Sequence, residues 1–434
     1  MSKRLYRSGC LAGLSLLAGL LSAGVGTASA KPILMPTVAK EIQIQQQIWQ
    51  QHTFAPAGSL QPPAPPCPEN GMLPAPFSSC GVPEAPATTL PFGGNMAYWA
   101  GHVQTDPKVY IVYWGWGEKG AFPAGQTCTA EKLTEGNVTA TLKCDPDGAG
   151  KYMANWVYQL GGTQWAGEQT QYYQTVTDAS GNPYNQYITN PTDQLGGIWV
   201  DDANSITGLP KTSASNPAGS NNTYTDLAAE AARAAAHFHV SDLANADFVI
   251  AQPANYSDPN AVSTGYCAFH DYVYPGFEGG IYNGLPKGIS YTNMPYALSI
   301  NSSGANVCGE NAVNSDAAGK LDGFSIVLGH EIEETVTDPG AEDILGSGTA
   351  TTNLGGWYDA LDANENGDKC AWVGETLGAP GEPQVTPIPG AINDIRGNHG
   401  QRFAVQSLWS NEAAEGTGYC AGAGDDLPQP VPPQ

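Results

Sequence analysis

The pentapeptide His330-Glu331-Ile332-Glu333-Glu334 differs by one residue from a helical zinc-binding motif, His-Glu-x-x-His. In a helix, residues four positions apart share a face, so His330 and Glu334 would point towards the same ion. Zinc accepts imidazole nitrogen and carboxylate oxygen as ligands. Glu331 would then lie beside the ion, where a general base for a metal-bound water belongs. The pattern predicts a metal site on a helix; the alternative is a solvated acidic helix that contains one histidine.

The candidate third ligand lies in the downstream segment Gly356–Trp372, which is rich in acidic residues. Glu365 follows Glu334 by 31 residues (365 − 334 = 31) and is the predicted third ligand. Asp368 is predicted to orient His330, because a metal-bound imidazole usually donates its other N–H group to a carboxylate. This pair resembles the glutamate and aspartate that thermolysin-like zinc proteases place at a comparable distance after the motif.

The segment Asp362–Asp368 also has a second interpretation, as the start of a calcium loop of the pattern D-x-[DN]-x-[DN]-G. The glutamate expected at loop position twelve is Val373 instead. Zn²⁺ is therefore the predicted cofactor, and Ca²⁺ around this segment is the alternative.

Two further residues are predicted to lie near the ion. His270, in the segment CAFHDY, is predicted to stabilise an oxyanion or to add a ligand, and the alternative is a structural histidine beside Asp271. Asp338, two turns after His330, is either a supporting residue of the metal site or simply the end of the helix before Pro339.

Composition and the N-terminal residues limit the compartment and the partners. The chain has 17 Lys and Arg against 41 Asp and Glu, a charge that repels nucleic acid, so no nucleic-acid partner is expected. Residues 1–30 have the pattern of a secretory signal peptide: Lys3, Arg4 and Arg7, then an apolar run, then Ala28-Ser29-Ala30. No later stretch is long and apolar enough to span a membrane. We expect a secreted protein, extracellular or periplasmic.

Eight of the nine cysteines follow the predicted signal peptide, and an even number in an exported chain indicates disulfides. The absence of a Cys-x-x-Cys pair argues against a thiolate zinc site. Pairing of nearest neighbours in the sequence is the prediction: Cys67–Cys80, Cys128–Cys144, Cys267–Cys308 and Cys370–Cys420.

The elements that must position these residues follow from apolar periodicity, turn residues and composition. The predicted strands are 108–117, 246–253, 265–274 and 288–298, and the predicted helices are 150–162, 223–240 and 321–338. The last helix carries the His-Glu pair, and the apolar residues of its first half predict that it packs in the core.

This order of strands and helices predicts an α/β or α+β fold: one mixed-sheet, disulfide-stapled domain with a metal-site helix, over residues 93–424. Residues 31–92 are predicted to be a proline-rich lead-in or propeptide, and residues 425–434 a proline-rich tail.

Five segments occur in the order NMAYWAGHVQTDPKVYIVYWGWG, GYCAFHD, GHEIEETVTDP, GWYDALDANENGDKCAW and RFAVQSLWSN. Together they resemble bacterial relatives of the plant phosphate-induced, EXORDIUM-like secreted proteins, over roughly residues 93–421. The resemblance implies export and a shared fold. Plant members lack the His-Glu pair, which implies that the fold does not depend on a metal site.

We therefore predict a secreted metal-dependent hydrolase, and specifically a zinc peptidase that acts through a metal-bound water on a peptide or cell-wall substrate. The alternative is a non-catalytic extracellular binding or signalling protein of the EXORDIUM-like type. The sequence does not predict an oligomeric state.

Overall fold

The structure of the chain is a computed structural model. It describes residues 95–99, 101–204, 206, 222–258, 261, 266–272, 281–282, 285–286, 288–302, 305–339, 356–358, 365–371, 392–413 and 418–421, all within the unit Pro32–Gln434. The predicted signal peptide, lead-in segment and tail lie outside these residues, as do Asp362 and the pair Cys67 and Cys80.

Strands outnumber helices in the described part of the chain. The helices are α1 (Ala149–Leu160), α2 (Gln164–Gly167), α3 (Asn222–His237), α4 (Asp316–Gly319) and α5 (Asp322–Thr337). The strands are β1 (Ala97–Tyr98), β2 (Lys108–Trp114), β3 (Glu131–Glu135), β4 (Val138–Leu142), β5 (Tyr173–Thr177), β6 (Pro183–Tyr187), β7 (Leu195–Asp201), β8 (Ala246–Ala251), β9 (Phe269–Tyr272), β10 (Ile281–Tyr282), β11 (Leu285–Pro286), β12 (Ser290–Met294), β13 (Asn301–Ser302), β14 (Ala305–Asn306), β15 (Trp357–Tyr358), β16 (Ile392–Arg396), β17 (Arg402–Gln406), β18 (Leu408–Ser410) and β19 (Tyr419–Ala421).

The largest sheet has five strands in the order β7-β2-β8-β12-β9. The first four run parallel, and β9 pairs antiparallel with β12 at the edge. All residues of β8 are buried, as expected for a parallel strand with both faces covered. These strands confirm the four predicted ones, with somewhat shorter bounds. The remaining strands form two-stranded antiparallel ribbons.

Helices cover both faces of this sheet. On one face, Tyr110 of β2 and Phe248 of β8 are register partners, and Phe238, just after α3, packs on Tyr110 with ring centroids 4.9 Å apart. Side chains of successive strand residues point to opposite faces, so Asp247 and Val249 face the other side. There α5 packs against β9 and β12.

Helix α5 confirms the helix predicted at 321–338. It ends at Thr337, and the backbone of Asp338 leaves the helical region (φ −150°, ψ 74°) before Pro339, because a residue preceding proline avoids the helical region. Every residue of α5 is buried, including Glu331, Glu333 and Glu334. The alternative of a solvated acidic helix is therefore wrong.

Three predicted disulfides are confirmed: Cys128–Cys144, Cys267–Cys308 and Cys370–Cys420. The mixed sheet, the packed helices and these cross-links agree with the predicted mixed-sheet, disulfide-stapled domain. No helix among the described residues is long and apolar enough to cross a membrane.

Candidate metal centre

Three parts of the chain meet at the C-terminal half of α5 and form a buried cluster of histidines and carboxylates. Helix α5 contributes His330, Glu331 and Glu334, strand β9 contributes His270, and the turn at residues 365–370 contributes two more carboxylates. His330 is 7% exposed and the other named residues are 2% exposed or less. The cluster therefore lies in a region of low effective dielectric, where interactions between charges are strong.

Gly367 explains how the turn at residues 365–370 approaches the helix so closely. A Cβ atom at this position would lie 2.8 Å from Glu334 Oε1 and 2.9 Å from His330 Nδ1. Any larger residue would have to displace the turn or the side chains of Glu334 and His330. The close approach lets the backbone N–H of Asp368 donate to Glu334 Oε1 over 2.7 Å.

The two nitrogens of His330 have different neighbours. Nδ1 lies 3.2 Å from Gln406 Oε1, and Gln406 Nε2 donates to the carbonyl of Gly367 over 2.7 Å, which turns Oε1 towards the imidazole. Nε2 lies 3.1 Å from Glu334 Oε1 and 3.6 Å from Asp368 Oδ1. When the imidazole is neutral, Nδ1–H donates to Gln406 and the Nε2 lone pair faces the two carboxylates.

A cation at His330 Nε2 is strongly favoured by this environment. Burial lowers the pKa of His330, but the charges of Glu334, Glu331 and Asp368 and the hydrogen bond to Glu334 together raise it to about 10. The carboxylates therefore stabilise positive charge at this nitrogen, whether a proton or a metal ion carries it.

The two nitrogens of His270 also have different neighbours, as those of His330 do. Its Nε2 lies 3.0 Å from the carbonyl oxygen of Asp338 and 3.5 Å from Glu365 Oε1. Its Nδ1 lies 3.3 Å from Glu331 Oε2 and 3.6 Å from Glu334 Oε2. A backbone carbonyl can only accept, so Nε2–H donates to Asp338, and a neutral His270 presents the Nδ1 lone pair to two carboxylates.

Glu334 connects the two histidines. Its Oε1 faces His330 and its Oε2 faces His270, and Oε2 accepts no hydrogen bond from the described residues. Two groups of three ligand atoms result, each with its atoms within 4.8 Å of one another. One group is His330, Glu334 and Asp368, and the other is His270, Glu331 and Glu334.

The spacing of these atoms is compatible with metal coordination. A tetrahedral zinc ion with ligand distances of about 2.0–2.1 Å separates its ligand atoms by about 3.3 Å. The contacts of His330 Nε2 and His270 Nδ1 with the carboxylates span 3.1 to 3.6 Å. Imidazole and carboxylate are also the donor types that zinc and manganese accept.

All seven residues with predicted site roles lie in or against this cluster, although their roles remain predictions. Glu365 lies beside His270 and not beside His330, and Asp368 lies on the Nε2 side of His330, with Gln406 on the Nδ1 side. The seven are His270, His330, Glu331, Glu334, Asp338, Glu365 and Asp368.

Sequence reasoning missed Gln406 and Asp247. Gln406 is 76 residues from His330, and an amide side chain is not a usual zinc ligand, so no local signal marks it. Asp247 accepts a hydrogen bond from Thr292 over 3.0 Å, and Thr292 is the register partner of His270. Burial raises the pKa of Asp247 to about 7. A carboxyl group inside an otherwise apolar strand, ADFVIA, was the available signal for this residue.

Comparisons of the chain with protein-family models, curated proteins and solved structures found no match. The resemblance to EXORDIUM-like proteins therefore stays a prediction, and the function has to be argued from the cluster itself.

Proposed function

We propose that the protein is an exported metal-dependent hydrolase that cleaves peptide-like bonds, with its ion held by His330, Glu334 and Asp368. The observation that carries the proposal is the Nε2 lone pair of His330, which faces two buried carboxylate oxygens within 3.6 Å. When bound, a divalent cation would polarise a substrate carbonyl and lower the pKa of water. The three disulfides are consistent with an oxidising compartment, which supports export.

Glu331 is the proposed general base. It follows His330 directly on α5, and its Oε2 lies 3.3 Å from His270 Nδ1. Burial raises the pKa of Glu331, which brings a carboxylate closer to the range where it both accepts and returns a proton near neutral pH. In its protonated form His270 donates Nε2–H to the Asp338 carbonyl and carries a second proton on Nδ1, with which it would orient Glu331 and stabilise negative charge that develops on the substrate.

Asp368 is preferred here to Glu365 as the third ligand, because its Oδ1 approaches the same His330 nitrogen as Glu334 does. Glu365 Oε1 approaches His270 instead, over 3.5 Å. Zn²⁺ remains the first choice of ion. Two carboxylates and one imidazole supply more hard oxygen donors than a set with two histidines does. The affinities for Mn²⁺ and Ca²⁺ should therefore be compared with the affinity for Zn²⁺.

Metal analysis of the purified mature chain tests this proposal. We expect His330→Ala and Asp368→Asn to lose an ion that the wild type binds stoichiometrically, and Glu365→Gln to keep it. Retention in Asp368→Asn with loss in Glu365→Gln would restore Glu365 as the third ligand. His399→Ala and Glu310→Gln are matched controls, because both residues are exposed. A folded wild-type sample without stoichiometric metal would refute the proposal.

Activity is the second test. Glu331→Gln should keep the ion at His330 and lose hydrolysis of a fluorogenic peptide library by 10²-fold or more, on the order of general-base catalysis. Full activity in Glu331→Gln would exclude Glu331 as the base.

The burial of the cluster favours a second function, a non-catalytic binding or signalling protein with a structural ion. A catalytic zinc site keeps one position open to substrate, whereas a structural site is closed. His330 is the most exposed of the seven predicted site residues, at 7%. If the ion is structural, removal of the metal with a chelator should lower the stability of the protein, and the metal-loaded protein should hydrolyse no peptide.

An aromatic surface on the hairpin β5–β6 would serve that second function. Tyr184 and Tyr187 are 51% and 36% exposed, and Tyr187 packs edge-on against Tyr173 at 5.2 Å. Such rings offer stacking faces to peptide or cell-wall ligands. Weaker retention of Tyr184→Ala and Tyr187→Ala than of the wild type on cell-wall polysaccharide would support the binding function. Retention equal to that of the wild type in both variants would contradict it.

A further inference from the structure

We infer that the centre binds two divalent cations, with Glu334 as the bridging carboxylate. The inference rests on the proposed function and adds a second ion beside the first. The first cation site is His330 Nε2, Glu334 Oε1 and Asp368 Oδ1, and the second is His270 Nδ1, Glu331 Oε2 and Glu334 Oε2.

The strongest reason is that both histidines are prepared as ligands in the same way. A metal-bound histidine usually donates its second N–H to a neutral acceptor or a carboxylate, which fixes its tautomer. Gln406 Oε1 is that acceptor for His330, and the Asp338 carbonyl is that acceptor for His270. Each remaining nitrogen then directs its lone pair at two carboxylate oxygens. Two lone-pair donors facing each other repel unless a cation lies between them.

Glu334 provides the second reason. Its side chain is fully buried, and Oε2 accepts no hydrogen bond from the described residues. A buried carboxylate oxygen in this condition loses its hydration without compensation. A cation between Oε2, His270 Nδ1 and Glu331 Oε2 would compensate it, while Oε1 remains a ligand at the first site.

The charge of the cluster itself agrees with two ions. Four carboxylates have oxygens within 3.6 Å of an imidazole nitrogen: Glu331, Glu334, Glu365 and Asp368. With neutral histidines and all four carboxylates ionised, the charge of the cluster is −4; one divalent cation leaves −4 + 2 = −2, and two leave −4 + 4 = 0. Net negative charge in a buried site is costly, so the second ion stabilises the arrangement.

Two ions would change the role of Glu331 from base to ligand. Hydrolases with two metal ions about 3.5–4 Å apart use both cations to stabilise the attacking and leaving oxygens. The ligand class expected at the second site is a divalent cation that accepts imidazole and carboxylate, such as Zn²⁺ or Mn²⁺.

The test is ion stoichiometry of the full mature chain after removal of metal and reloading with Zn²⁺ or Mn²⁺. We expect two ions per wild-type chain, one in His270→Ala, one in Glu331→Gln and none in Glu334→Gln. With Mn²⁺, the wild type should give the electron paramagnetic resonance signal of a coupled pair, and His270→Ala that of an isolated ion. His270→Gln serves if the alanine variant does not fold.

The outcomes separate this inference from the proposed function. One ion per wild-type chain, unchanged in Glu331→Gln, overturns the two-ion inference and leaves the single-ion hydrolase in place. No bound ion overturns both. Two ions in the wild type that both persist in His270→Ala would place the second ion elsewhere and also overturn the inference.

Discussion

Replacement of Gln406 by methionine tests whether this residue fixes the tautomer of His330. Methionine is similar in size, but it removes the acceptor for His330 Nδ1–H and the donor to the Gly367 carbonyl. Loss of a residue that orients a metal ligand lowers metal affinity by about 10- to 100-fold, or about 1.4 to 2.7 kcal/mol. The Gly367 carbonyl still accepts from the Cys370 N–H over 3.0 Å, but the buried Nδ1–H of His330 is left without an acceptor, so the free energy of unfolding should fall by about 1–3 kcal/mol.

Competition with a chromophoric chelator measures the metal affinity of the wild type and the variant, and chemical denaturation of the metal-free proteins measures stability. Gln186→Met is a control, because Gln186 is an exposed residue of the β5–β6 hairpin. Gln406→Glu restores an acceptor for His330 and should recover affinity to near the wild-type value. Unchanged affinity in a folded Gln406→Met protein would refute the assignment of Nε2 as the ligand nitrogen.

Four further predictions concern stability and the turn at residues 365–370. Burial raises the pKa of Glu168 to about 8, above its ordinary 4.5, so the stability linked to its protonated form is complete below about pH 4.5 and is lost as the pH rises to 8. Between pH 5 and 8 this loss is about 3 kcal/mol, and the free energy of unfolding of Glu168→Gln should not show it. If the free energy of unfolding depends on pH equally in Glu168→Gln and the wild type, the assignment to Glu168 is contradicted. Gly367→Ala should displace the turn or the ligand side chains of Glu334 and His330 and weaken metal binding by about tenfold or more in the same chelator assay, because its Cβ would lie 2.8 Å from Glu334 Oε1. Removal of the Cys370–Cys420 disulfide by the paired Cys370→Ser and Cys420→Ser substitutions should lower the free energy of unfolding by about 4 kcal/mol for a separation of 50 residues, measured by denaturation. Removal of metal should lower the melting temperature, and re-addition at 100 times the dissociation constant should restore about 2.7 kcal/mol; a melting temperature indifferent to metal would argue against binding to the folded state.

Much of the fold is predictable because the signals are local. The apolar run of β2 and the periodicity of α5 each specify an element within about ten to sixteen residues. Nearest-neighbour pairing of cysteines succeeded for the three described disulfides, whose partners are 16, 41 and 50 residues apart. The bounds of the elements were less accurate, since the ends of strands depend on their neighbours in the sheet.

In the candidate site, too, the local features were predictable from the sequence and the long-range contacts were not. The placement of His330, Glu331 and Glu334 was predictable, because helix geometry alone puts positions i and i+4 on one face. Which acidic residue faces which histidine was not predictable from spacing. Asp368 rather than Glu365 approaches His330, because Gly367 allows the turn to lie against the helix and the Asp368 N–H bonds to Glu334.

The sequence by itself determined the helix and its acidic stripe, because both depend on residues close together in the chain. Nearest-neighbour order of the cysteines also matched the three described disulfides. Only the tertiary structure decided that His270 of β9 and Gln406 of β17 reach that helix. Their positions depend on the antiparallel register of an edge strand and on the packing of a separate ribbon against α5. Such contacts join residues 60 to 80 positions apart, and burial of the whole core, not local preference, fixes them.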